Sequence, residues 1–193
     1  GFLSIHQVKD PVLSPDGRHL VYQRSSTIWS KNSKIDRYRL INIETGERLP
    51  VPDPKRETVS VSDVSWRPDG AGFVYLRRPP GADERQAYFF DLETYASEQL
   101  TNHEEDVGSI LWARDGSGFY FATTERDTPE AGEKQVKAEW QIRAFDEPAD
   151  RELWFFDITT RQSQAVIYGD FTVRGVSLSR DGSQLVYTRA PDQ

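Results

Sequence analysis

Apolar and polar residues alternate over short stretches of this chain, and one such stretch recurs four times. Leu13-Ser-Pro-Asp-Gly17 leads to Leu20-Val-Tyr22, and Trp66-Arg-Pro-Asp-Gly70 to Phe73-Val-Tyr75. Trp112-Ala-Arg-Asp-Gly116 then leads to Phe119-Tyr-Phe121, and Leu178-Ser-Arg-Asp-Gly182 to Leu185-Val-Tyr187. Before the turns, Val64 and Trp66, Ile110 and Trp112, and Val176 and Leu178 keep the same period of two. That period places alternate side chains on one face of a sheet, so each stretch predicts a β-hairpin. The turn has a physical cause. The second position suits proline, whose φ is preset, the third suits aspartate, and the glycine accepts a left-handed backbone that β-branched residues resist. Asp16, Gly17, Asp69, Gly70, Asp115, Gly116, Asp181 and Gly182 are therefore expected to be structural turn residues.

Each hairpin of the first three units is followed by a second pair of strands. Tyr38-Arg-Leu-Ile-Asn-Ile-Glu-Thr-Gly46, Tyr88-Phe-Phe-Asp-Leu-Glu-Thr94 and Trp154-Phe-Phe-Asp-Ile-Thr-Thr160 all run from an aromatic strand into an Asx and threonine turn. A short apolar strand is expected next, around Leu49–Val51, Gln99–Thr101 and Ala165–Ile167. Four antiparallel strands per repeat of roughly 40 to 50 residues is the pattern of a propeller blade. A two-sheet sandwich also spaces short strands with turns, but does not require the same Asp-Gly hairpin four times. The predicted fold is an all-β partial β-propeller of four-stranded antiparallel blades. Three blades occupy about 8–52, 59–102 and 107–168, and the first hairpin of a fourth occupies 173–193.

The Asp-Gly pairs begin at positions 16, 69, 115 and 181, so the last interval is the longest. It holds an insertion at 125–150, rich in charge, in which Val136 and Trp140 stand four apart as on a helix face. Trp140 and Ile142 also alternate as on a strand, and both readings stay open. The insertion reads as a solvated excursion on the rim, or as a lid or contact surface anchored by Trp140 and Phe145.

Composition narrows the functions available. The net charge of −7 and pI near 5.1 argue against nucleic acid as a partner, because phosphate binding needs a basic face. The absence of cysteine removes disulfides, zinc thiolates and cysteine nucleophiles. No run of 18 apolar residues exists to make a membrane-spanning helix, and no membrane partner is expected. The chain begins at Gly1 and lacks methionine, so it is expected to be a processed product or an excerpt. A processed start leans towards a periplasmic or secreted location, although composition leaves the compartment open. Three and a half blades would leave two aromatic faces uncovered, so the chain is expected to continue past Gln193 and perhaps before Gly1.

No catalytic machinery is legible. Serine catalysis in an α/β-hydrolase needs a Gly-x-Ser-x-Gly elbow with histidine and a carboxylate, and that motif is missing; Gly116-Ser117-Gly118 belongs to a hairpin turn. Of the three histidines, His19 is expected at the surface after a turn, His103 in an inter-blade loop closed by polar side chains, and His6 without a visible partner. Glu104, Glu105 and Asp106 are adjacent and lack the alternating spacing of a calcium loop. No metal, cofactor or catalytic residue is assigned.

The opening Ser4-Ile-His-Gln-Val-Lys-Asp-Pro-Val-Leu-Ser-Pro-Asp-Gly-Arg-His-Leu-Val-Tyr22 resembles the start of the propeller in prolyl oligopeptidase-family serine peptidases, most closely the acylaminoacyl-peptidase and dipeptidyl-peptidase-like branches. Gln99-Leu-Thr-Asn-His103, Val107 and Trp112-Ala-Arg-Asp-Gly116 resemble the same blade grammar. The repeat is shared with TolB-like periplasmic propellers. The resemblance implies a non-catalytic propeller restricting peptide substrates' access to a C-terminal α/β-hydrolase domain that lies outside this chain. None of that domain's triad motifs maps here, and the Asp-Trp-aliphatic-Tyr-Glu-Glu motif of dipeptidyl peptidase IV relatives is missing. The alternative it leaves is a TolB-like, non-enzymatic propeller that binds protein partners.

Overall fold

The computed structural model describes residues 6–28, 33–52, 64–124, 150–169 and 171–191. Described residues form fourteen strands and no helix. The first antiparallel sheet runs in the order β1 (His6–Leu13), β2 (His19–Ile28), β3 (Ser33–Asn42), β4 (Arg48–Leu49). The second runs β5 (Ser65–Trp66), β6 (Gly72–Arg77), β7 (Gln86–Asp91), β8 (Ser97–Gln99). The third contains β9 (Asp106–Trp112), β10 (Gly118–Thr124), β11 (Asp150–Asp157) and β12 (Gln162–Ile167). A last hairpin, β13 (Phe171–Leu178) with β14 (Leu185–Pro191), joins β11 through the single pair Asp150–Val173. Three four-stranded sheets and a further hairpin, in strict chain order, make a partial β-propeller.

What packs the sheets together is the alternation itself. In β6, Phe73 and Tyr75 face the first sheet, where they meet Val21, Leu40, Trp66, Tyr88 and Phe90. Val74 and Leu76 point the other way, into a cluster with Ala87, Val107, Trp112, Phe119, Phe121 and Phe156. The second blade is thus buried on both faces, and its strands carry apolar residues at nearly every position. The outer strands β4 and β8 are short, two and three residues, and lie closer to their preceding turns than the sequence pattern places them.

A further element is absent from the sequence reading. The first strands of the first, third and fourth repeats carry a bulge, seen as a register shift between Lys9 and Val12, opposite Tyr120 and Ala122, and between Arg174 and Ser177. Asp10, Ser109 and Gly175 occupy equivalent places in these bulges, all with positive φ. The extra residue bends the strand and changes which face its neighbours address. Simple alternation therefore holds after the bulge and not across it.

Candidate functional site

The Asp-Gly turns are built alike. In each, the glycine N–H donates to the carbonyl three residues back: Gly17 to Ser14, Gly70 to Arg67, Gly116 to Ala113 and Gly182 to Ser179, at 2.9 to 3.0 Å. Those four glycines have φ between 71° and 76°. Each aspartate accepts the N–H two residues on, from Arg18, Ala71, Ser117 and Ser183. In the first and fourth repeats, a serine opens the turn and adds its hydroxyl, Ser14 to Asp16 at 2.6 Å and Ser179 to Asp181 at 2.5 Å. These donors favour the ionised carboxylate. The Ser14 hydroxyl and then the Arg18 N–H lower the Asp16 pKa, while the Ser117 N–H and hydroxyl lower that of Asp115. The Ser179 hydroxyl, followed by the Ser183 N–H and hydroxyl, holds Asp181 at about 2.

The turns also touch one another. A Cβ on Gly116 would lie 3.7 Å from Arg67 Nε and 3.9 Å from Pro68 Cδ of the preceding blade. One on Gly182 would meet Arg114 Cγ at 2.9 Å and Cβ at 3.1 Å. Successive turns are stepped against each other in chain order. Next to them, indoles tie blade to blade. Trp66 Nε1–H donates to the carbonyl of Val12 at 3.2 Å, and Trp112 Nε1–H to that of Ser65 at 3.0 Å. Val12 and Ser65 each precede the residue aligned with the tryptophans, so one bond repeats at two seams. Leu178 holds the equivalent place in the fourth repeat and has no donor there.

The first strands and turns line an open cavity of about 570 Å³. Pro15 comes from the first repeat, Ser65, Trp66 and Pro68 from the second, Leu111, Trp112 and Arg114 from the third, and Val176, Ser177 and Leu178 from the fourth. Four repeats contribute equivalent positions, which places the cavity on the axis about which the blades are arranged. The walls are indole, aliphatic and proline surface with two serines, and among the described residues the sole ionisable group in them is Arg114. Such a concave surface of about 300–1,000 Å³ suits a small molecule or a peptide segment.

The remaining chemistry-bearing side chains serve packing and loops. Gln86 Oε1 accepts from the Thr101 hydroxyl and the His103 N–H, and its Nε2–H donates to the His103 carbonyl, each at 2.9 Å. Glu105 N–H donates to His103 Nδ1, and the His103 ring lies 4.8 Å from Trp154. Asp106 accepts the Arg85 N–H at 2.6 Å and pairs with Arg85 Nε at 3.2 Å. His19 is half-buried rather than at the surface, because the start of β2 sets its ring 6.3 Å from Trp66. The described residues hold no group of three His, Asp or Glu side chains placed for a metal ion. Trp140 and Phe145 lie outside the described residues.

Residues 54–190 match the family described as "Prolyl oligopeptidase, N-terminal beta-propeller domain". The chain is 30% identical over 117 residues to the uncharacterized peptidase YuxL of Bacillus subtilis (strain 168), a match that covers 60% of this chain and 17% of that protein. Among solved structures, it is similar to TolB from Acinetobacter baumannii, with a TM-score of 0.61 at 17% identity over 96% of this chain and 38% of TolB. The acylaminoacyl peptidase of Pyrococcus horikoshii gives a TM-score of 0.54 at 18% identity over 92% of this chain and 28% of that enzyme.

Proposed function

The chain belongs to the prolyl oligopeptidase N-terminal β-propeller family, and from that premise we propose that it is the non-catalytic propeller portion of a serine peptidase, restricting peptide substrates' access to an α/β-hydrolase domain outside these residues. The observation that carries this reading is the axial cavity, walled by equivalent residues of four successive repeats. An extended peptide is expected to enter such a cavity, of about 570 Å³, and a folded protein to be excluded. Two of the seams around it are held by indole hydrogen bonds. The chemistry itself is assigned elsewhere, since this sequence has no Gly-x-Ser-x-Gly elbow.

The test uses the full-length protein that contains this chain. A fluorophosphonate probe is expected to label one serine outside residues 1–193. Short peptides are expected to be hydrolysed and a folded protein carrying the same cleavage sequence spared. Trp112→Leu, which removes one indole bond, is expected to relax that size limit without abolishing peptide hydrolysis. Absence of labelling would favour a non-enzymatic, partner-binding propeller. Equal hydrolysis of the folded protein and the peptide would remove the access function.

A further inference from the structure

We propose that Arg114 makes the axial cavity a receptor for a carboxylate on the peptide, either its C-terminus or an acidic side chain; this rests on the reading that peptides enter that cavity. The evidence is a contrast in charge. The whole chain carries −7, yet among the described residues the single formal charge in the cavity lining is positive. Arginines stand near the other turns as well, and among the described residues the exposed Arg180 is equally free but does not line the cavity. Arg67 Nε is held by Asp69 Oδ2 at 3.2 Å, and Arg18 Nε lies 3.8 Å from Glu44. Among the described residues, Arg114 has no hydrogen-bond or ion-pair partner.

The stem and the head of this side chain have different surroundings. Its Cβ and Cγ rest against Gly182 of the following repeat, which leaves no room for a side chain there. Packing therefore fixes the base of the side chain at the cavity wall. The nearby carboxylates are already occupied: Asp115 accepts from the Ser117 N–H and hydroxyl, and Asp181 from Ser179 and Ser183. They are aimed into their own turns, and the guanidinium's planar set of donors stays available for a bidentate carboxylate. The exposed setting limits the effect to that of a screened ion pair beside the wall of Trp66, Trp112 and Leu178.

Isothermal titration of this protein with three acetylated tetrapeptides of one sequence tests the proposal: a free acid, its amide, and an amide with one glutamate replacing alanine. The free acid and the glutamate peptide are expected to bind roughly two- to fivefold more tightly than the neutral amide, as one exposed charge pair gives. A preference for the free acid alone would assign the carboxylate to the chain end, and one for the glutamate peptide alone to a side chain. Arg114→Gln should bring the acid-to-amide ratio to about one, and Arg114→Lys should restore part of it. Near-UV circular dichroism checks that both variants are folded. Equal affinity for acid and amide in the native protein would overturn the proposal while leaving peptide entry intact, as would a preference that survives Arg114→Gln. Failure of all three peptides to bind would overturn both.

Discussion

The second blade and the β13–β14 hairpin have the same Asp-Gly turn and the same strand pattern, but they are held by different forces. In the second blade, Phe73, Val74, Tyr75 and Leu76 are all at most 1% exposed, and neighbouring sheets cover both faces. Its turn is sparse: Asp69 accepts one backbone N–H and pairs with Arg67. In the fourth repeat the balance is reversed. Val186 is 59% exposed, while Asp181 gathers the Ser179 hydroxyl, the Ser183 N–H and the Ser183 hydroxyl, and Gln184 N–H donates back to Ser179. The first repeat has the same serine-built turn, with Ser14 accepting from His19 N–H. Burial dominates in the second blade's hairpin and local hydrogen bonding in the fourth's, while the third has both, since Asp115 accepts the Ser117 N–H and hydroxyl beside the buried Phe119 and Phe121. The two forces differ in range, since burial needs a neighbouring blade and the turn network needs none.

The largest effect that could break this comparison is loss of an aromatic side chain. Phe73→Ala removes a ring packed against Trp66, Tyr75 and Phe90, and should cost about 3–5 kcal/mol in urea unfolding. Leu185→Ala, at the matching position of the half-buried hairpin, should cost only about 1 kcal/mol. Equal costs would mean that burial does not separate the two regions.

Glycine gives a sharper contrast of intermediate size. A Cβ on Gly72 would lie 2.2 Å from the Phe90 carbonyl oxygen and 2.6 Å from the Phe89 ring. Gly118 repeats this against Phe156 and Phe155. Neither has a positive φ, so close approach of the aromatic strand, and not backbone conformation, selects glycine. Gly72→Ala is expected to lower stability by about 2–3 kcal/mol. Gln184 holds the same position in the fourth repeat, and Gln184→Ala should change stability by less than about 0.5 kcal/mol. Thermal unfolding of the two variants measures the difference directly.

The smallest effect concerns pH. Asp181 sits at about 2 in the folded chain against 3.8 for an ordinary aspartate. A depressed folded pKa contributes stability that is fully present above about pH 4 and disappears as pH falls towards 2. Asp181→Asn should flatten the pH dependence of unfolding in that window and leave stability near pH 7 with little slope from this site. An unchanged acid limb in denaturant titrations would show that the turn network contributes nothing at this hairpin.

The repeat, the hairpins and the blade class were legible because they rest on local signals. Period-two alternation and the Ser-Pro-Asp-Gly turn require no knowledge of distant contacts, and the Asn42, Asp91 and Asp157 turns follow the same rule, each side chain accepting backbone N–H groups just beyond it. The indole bonds, the first-strand bulges and the axial cavity were not legible. Each depends on where one blade sits against the next, which alternation within a strand does not encode. A faint signal existed: tryptophan at 66 and 112 where leucine stands at 13 and 178. Val107-Gly-Ser-Ile110 also breaks the alternation at the Ser109 bulge. Arg114 drew no assignment from the sequence, because its meaning comes from Gly182, far along the chain.

The indole bond has a bearing on how such a chain can grow or shrink over generations. Its donor lies in one unit and its acceptor just before the matching position of the unit behind, so every tryptophan-bearing unit carries both halves of the joint. Copying or excising one whole unit would therefore present each indole with an equivalent carbonyl, and the number of units can change by recombination without inventing a new joint.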